Sequence, residues 1–165
     1  MKLPVRGIGL LSVFILTVLL SGCGYRIVKS KDLTYRKIYL RYVDNLTTEP
    51  GLQDTFRTVF FEEALNHGFV QDSGGIVMDV KITNYNMRTL TVKKDRTVEY
   101  SIDILADVHL EFPDGSSRDL NRMSSEFLES FIAEKAVQSI QAQRELTTEK
   151  ALRDLSQRIL IELIY

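Results

Sequence analysis

Cys23 is the single cysteine among 165 residues, and its thiol directly follows Leu20-Ser21-Gly22. A thiol there is open to covalent modification, but without a second cysteine it forms neither an intrachain disulfide nor a thiolate metal cage. The two histidines, His67 and His109, are the groups whose ordinary titration lies nearest neutrality. His109 falls on the polar side of a strand-like segment beside Asp107 and Glu111. No further ligands stand at metal spacing, so it reads as a solvated surface residue. His67 reads as a complement to the negative end of a helix, and Glu62-Glu63 as a solubilising helix flank, not as a general acid and base. No phosphate-cradling glycine loop, Gly-x-Ser-x-Gly elbow or zinc spacing occurs. A protein without catalytic residues, metal or cofactor is expected.

One cluster is denser. Arg88, Lys93, Lys94 and Arg96 place four cations within nine residues, interrupted by one acid in the run Lys93-Lys94-Asp95-Arg96. Between two strands such a group is either a solvated tip or a contact for an anion.

The first 25 residues decide where such chemistry takes place. Lys2 and Arg6 form a basic start, and the apolar run from Ile8 to Leu20 is 13 residues long. Crossing a bilayer as a helix takes roughly 17–25 residues, so the run fits the core of a secretory signal better than a span. Leu20-Ser21-Gly22-Cys23 resembles the bacterial lipoprotein signal, in which the cysteine is acylated and becomes the mature N-terminus. Residues 1–22 are therefore expected to be removed, 23–34 to form a lipidated tether, and 35–165 to form one α/β sandwich domain. One acyl chain holds a protein to a membrane only marginally, whereas the three expected on a bacterial lipoprotein anchor it permanently. Gly24 is not the aspartate that in enteric bacteria favours inner-membrane retention, so the resemblance points to the outer membrane.

Cleavage would leave 143 residues with a formal charge of -3. That length suits one domain, and the charge gives no basic field for nucleic acid. Apolar packing has to hold the fold.

Along the chain, Ile38, Leu40 and Tyr42 alternate with Tyr39 and Arg41 as in a half-buried strand. Thr48-Glu49-Pro50-Gly51 reads as a helix start with Thr48 as cap. Leu52, Phe56, Val59, Phe60 and Ala64 then share one helical face, and Gly68 should close the helix in the left-handed region. Gly74-Gly75 reads as a turn into a strand carrying Met78, Val80 and Ile82. The longest alternation follows, with Val98, Tyr100, Ile102, Ile104, Ala106, Val108, Leu110 and Phe112 on one face. Glu99, Ser101, Asp103, Leu105, Asp107, His109 and Glu111 occupy the other, which reads as acidic. After the turn at Pro113-Asp114-Gly115-Ser116, residues 118 to about 131 should return as a fourth strand. Leu120 is out of phase with Met123, Phe127 and Phe131, which suggests a bulge. Ala151, Leu152, Leu155, Ile159 and Leu163 form a terminal helical stripe whose start between Gln138 and Thr148 stays open. The expectation is an α+β fold, a single four-stranded, mostly antiparallel sheet with two helices on one face in the order β-α-β-β-β-α.

Cys23-Gly24-Tyr25-Arg26, the stretch from Val43 to Leu52, the strand triplet and Ala151-Leu152-Arg153-Asp154-Leu155 together resemble the lipopolysaccharide-assembly lipoprotein (LptE) family across essentially the whole mature chain. The resemblance implies a non-enzymatic outer-membrane subunit that plugs the β-barrel of its partner LptD, helps it assemble, and contacts lipopolysaccharide. Because the long strand's open face reads as acidic, the basic residues Arg88, Lys93, Lys94 and Arg96 are the better candidates for that contact. Two other classes compete: a lipid-carrying or envelope-stabilising lipoprotein without a barrel partner, and a hydrolase, which would need a converging nucleophile and base.

Overall fold

The computed structural model describes residues 35–93, 96–125, 129–132 and 137–164. Cys23, the signal and tether segments 1–34, and Lys94 lie outside them. The elements are β1 (Lys37–Asn45), α1 (Leu52–Asn66), β2 (Val70–Gln71), β3 (Ile76–Lys93), β4 (Arg96–Glu111), β5 (Ser117–Ser124), β6 (Glu129–Ile132) and α2 (Val137–Ile164).

The sheet corrects the four-stranded expectation. It is mixed, with a five-strand path β2-β1-β3-β4-β5, and β6 pairs with β4 as well. β1 runs parallel to both β2 and β3, while β4 is antiparallel to β3, β5 and β6. Two residues, Val70 and Gln71, make up β2, too short a segment to show any period. The expected fourth strand is divided into β5 and β6. Its bulge is present: Leu120 pairs with Val108 and Met123 with Ala106, so Asn121 and Arg122 together face Asp107. Arg122 takes a φ of 56°, and its amide donates to Asp107 Oδ1 at 2.7 Å.

Both helices cover one face of the sheet. Phe56, Phe60 and Ala64 of α1 and Leu152, Leu155 and Ile159 of α2 are fully or almost fully buried against Ile38, Met78, Ile82, Ile102, Ile104 and Leu110. Burying each such large side chain contributes roughly 1.5–3 kcal/mol. In β1 the alternation fails where Leu40 pairs with Met78 but Tyr42 with Asp79, leaving Arg41 as an extra residue. Val43 therefore takes the core position, and Tyr42 stands 60% exposed.

The start of α1 also differs. Gly51, with φ 78°, is the residue before the helix, and no side chain caps it. Thr48, the expected cap, does not cap it, and in the preceding turn the Thr47 hydroxyl donates to Asn45 Oδ1 at 2.8 Å. The end of α1 agrees with expectation, since Gly68 has φ 86° and His67 Nδ1 donates to the Glu63 carbonyl at 2.8 Å. Glu63 departs from the solubilising reading. It is buried, accepting from Arg153 at 2.7 Å and Gln157 at 2.9 Å, while the more exposed Glu62 accepts from the same Arg153 at 2.9 Å. Gly75 is also more than a turn residue: a Cβ there would stand 2.0 Å from the Lys37 carbonyl oxygen. β1 and the entry to β3 approach so closely that only glycine fits.

Candidate binding face

The face of the sheet away from the helices is polar and built from four neighbouring strands. Period-two alternation puts Asp79 and Lys81 of β3 opposite His109 and Asp107 of β4, and His109 in turn opposite Asp119 of β5. The bulge in β1 adds Arg41 to this face. Its guanidinium spans two strands, reaching Asp79 Oδ2 at 2.6 Å and Glu111 Oε1 at 2.8 Å. Hydrogen bonds from Arg41 hold both carboxyls below their ordinary range and push the guanidinium further up. Tyr42 lies under the same cation, 5.7 Å from guanidinium carbon to ring centroid.

His109 is less isolated than a solvated surface residue. Its Nδ1 is 2.6 Å from Asp119 Oδ1 and its Nε2 is 3.7 Å from Glu111 Oε1. Asp79, Lys81, Asp107, His109, Asp119 and Asn121 border a hollow of about 460 Å³. Among the described residues, no group of three or more His, Cys, Asp or Glu side chains is arranged to hold a metal ion.

The carboxylates of this face are held by donors from neighbouring strands. Asp103 accepts from Arg88 at 3.2 Å, Glu111 from Arg41, Asp107 from the Arg122 amide, and Glu99 from the Thr91 hydroxyl at 3.1 Å. Each carboxylate that looked like a free repulsive charge has a donor. These partners come from other strands, so the period of β4 alone could not reveal them. Arg41, Asp79 and Asp119 were not singled out in the sequence; the signals for the first two were the cation between Leu40 and Tyr42 and the alternation of Asp79 with Met78 and Val80.

The basic cluster lies along a long ribbon. β3 and β4 continue past the helix-covered core, with Lys93 paired to Arg96 in backbone register. Arg88 sits five residues before Lys93, half exposed and turned onto Asp103. The fold thus brings Lys93 and Arg96 together at the ribbon's end and places Arg88 apart from them.

This architecture has known counterparts. The solved structure of a minor lipoprotein from Acinetobacter baumannii is similar at a TM-score of 0.52, with 17% identity, 79% of this chain covered and 92% of that one. Rare lipoprotein B from Shewanella oneidensis gives 0.50, with 13% identity over 77% and 92%. Lipoprotein B from Nitrosomonas europaea gives 0.51, with 12% identity over 86% and 90%. At such identities these likenesses establish the fold. Comparison with curated protein sequences finds no match. A family model described as "LptE: Lipopolysaccharide-assembly" matches residues 35–163, nearly the whole described domain. The chain therefore belongs to the LptE family of lipopolysaccharide-assembly proteins.

Proposed function

We propose that this domain is the lumenal plug and assembly partner of an LptD-type β-barrel, held at the outer membrane by acylated Cys23. Membership of the family makes it an outer-membrane lipoprotein of lipopolysaccharide assembly with a non-enzymatic role. The observation that carries the finer reading is the open face of the sheet. A wide outer-membrane barrel is polar inside, so its plug needs a polar, hydrogen-bonding surface and an apolar core closed by its own helices. Arg41 bridging Asp79 and Glu111, with His109 against Asp119, presents such a surface. Ile102, Ile104 and Leu110 on the reverse of the same strand are sealed under α1 and α2.

Lipopolysaccharide contact belongs, in this reading, to Arg88, Lys93, Lys94 and Arg96. The ribbon carries Lys93 and Arg96 at its end, past the core, where cations can meet phosphate groups. Charge reversal at all four should abolish most lipopolysaccharide binding by the soluble domain; unchanged binding would rule the contact out. The barrel partnership is tested separately, by capturing the tagged full-length protein from detergent-extracted membranes and asking whether a large barrel protein accompanies it.

A further inference from the structure

β3 carries an edge that the rest of the sheet does not use. β1 ends at Asn45 opposite Ile82, and the Leu46 amide donates to the Ile82 carbonyl at 2.9 Å before the chain turns off toward α1. β3 continues to Lys93, bonded to β4 on one side; among the described residues no strand pairs with its other side beyond Ile82. Register shifts at Thr83 and Leu90 bracket a regular run, Asn84 to Thr89. Backbone groups alternate sides along a strand. Counting from the outward carbonyl of Ile82 across the extra residue at Thr83, the amides and carbonyls of Tyr85, Met87 and Thr89 face the unused edge.

The edges of β1, β2 and β5 are blunted in ways that natural sheets use against unwanted pairing. β2 is two residues long. Past Ile38, β1 has the bulge at Arg41, and its Leu40 carbonyl accepts from the Arg57 guanidinium at 3.5 Å. β5 contains left-handed Arg122 and is tied to α2 by Arg158 donating to the Ser124 carbonyl at 2.7 Å. The 84–89 run has no proline, and its one charge, Arg88, is turned onto Asp103. Met87 and the adjacent Leu90 stand 41% and 46% exposed.

An exposed row of backbone donors and acceptors selects an extended backbone. A second copy of this chain is a poor occupant, because two such short runs joined edge to edge cover far less than the about 1,200 Å² of a stable interface. The segment before β1 is poorly placed too. β1 itself fills the β3 edge from Ile76 to Ile82, and the chain enters it at the far end, roughly 25 Å from Asn84 at the rise of a strand. We infer that the Asn84–Thr89 edge docks an extended segment of the barrel protein, adding a strand beside β3 through main-chain hydrogen bonds. Side chains opposite Arg88 on that segment are uncharged or acidic, and those beside Met87 are apolar. This inference rests on the barrel partnership proposed above.

The test is hydrogen–deuterium exchange on the full-length lipoprotein in detergent, free and in complex with its co-purified barrel protein. The amides of Tyr85, Met87 and Thr89 should exchange rapidly in the free protein and at least about tenfold more slowly in the complex. Met87→Pro removes one outward donor without touching the β3–β4 ladder and should reduce the recovered complex about tenfold. If the complex forms with exchange over 84–89 unchanged, the docking edge is wrong while the barrel partnership stands. Slow exchange already in the free protein would mean that the chain covers its own edge, and also overturns it. Failure to form any complex overturns both readings.

Discussion

Arg41 and Asp79 meet at 2.6 Å across two parallel strands, and the pair exists because one extra residue in β1 turns a cation onto the open face. Arg41→Ala should leave the fold of the isolated domain intact, since a partly exposed ion pair on a solvated face contributes little to stability beside the buried apolar core. Its effect should fall on association. Where the face is covered by a partner, Asp79 and Glu111 would be left without their shared donor, and recovery of the barrel complex should drop about tenfold or more. Quantitative capture beside a thermal melt of the free domain separates the two effects.

Glu63 and Arg153 lock α1 to α2. Burial pushes the Glu63 carboxyl up, but hydrogen bonds from Gln157 and Arg153, with the guanidinium charge, outweigh it and hold the group below its ordinary 4.5. A carboxyl depressed in the folded state stabilises the protein above its unfolded value and loses that contribution as pH falls through the folded one. Stability should therefore decline below pH 4.5, and Glu63→Gln should flatten that part of the acid limb. Arg153→Ala at neutral pH should cost about 1–3 kcal/mol by denaturant titration, because a buried carboxylate loses its main donor.

The two glycines before β3 should behave differently. Gly75→Ala drives a methyl group into the Lys37 backbone at 2.0 Å, whereas at Gly74 the nearest atom is the movable Asp72 Oδ1 at 3.2 Å. Gly75→Ala should destabilise by about 1–3 kcal/mol or prevent folding, and Gly74→Ala should stay within about 0.5 kcal/mol of the parent. Paired urea titrations read the difference.

Cys23→Ser removes the acylation site assigned from the Leu-Ser-Gly-Cys tetrad. The variant should leave the outer-membrane fraction in cells lacking the barrel protein, where no partner retains it. Retention there after a high-salt wash would contradict the anchor.

Much of the fold was legible in the sequence wherever one period persisted. Ile102 to Leu110 in β4 and Leu52 to Ala64 in α1 bury the residues their spacing indicated. Three of the misreadings share a cause, a partner distant in sequence. The Arg41 bulge exchanged Tyr42 for Val43 in the core, Glu63 found Arg153 ninety residues away, and Arg88 turned to Asp103 on the neighbouring strand. β2 escaped notice because two residues have no period. For the binding face, the polar residues of β4 were visible, while their donors come from β1, β3 and β5: the Arg41 and Arg88 guanidinium groups for Glu111 and Asp103, the Arg122 amide for Asp107 and the Thr91 hydroxyl for Glu99.

Affinity capture of the tagged full-length protein from detergent-extracted outer membranes decides whether this domain works inside a barrel. One dominant companion is expected, an LptD-type barrel in equal stoichiometry that survives stringent washing. Recovery of the lipoprotein alone, or with lipid and no barrel, would contradict it.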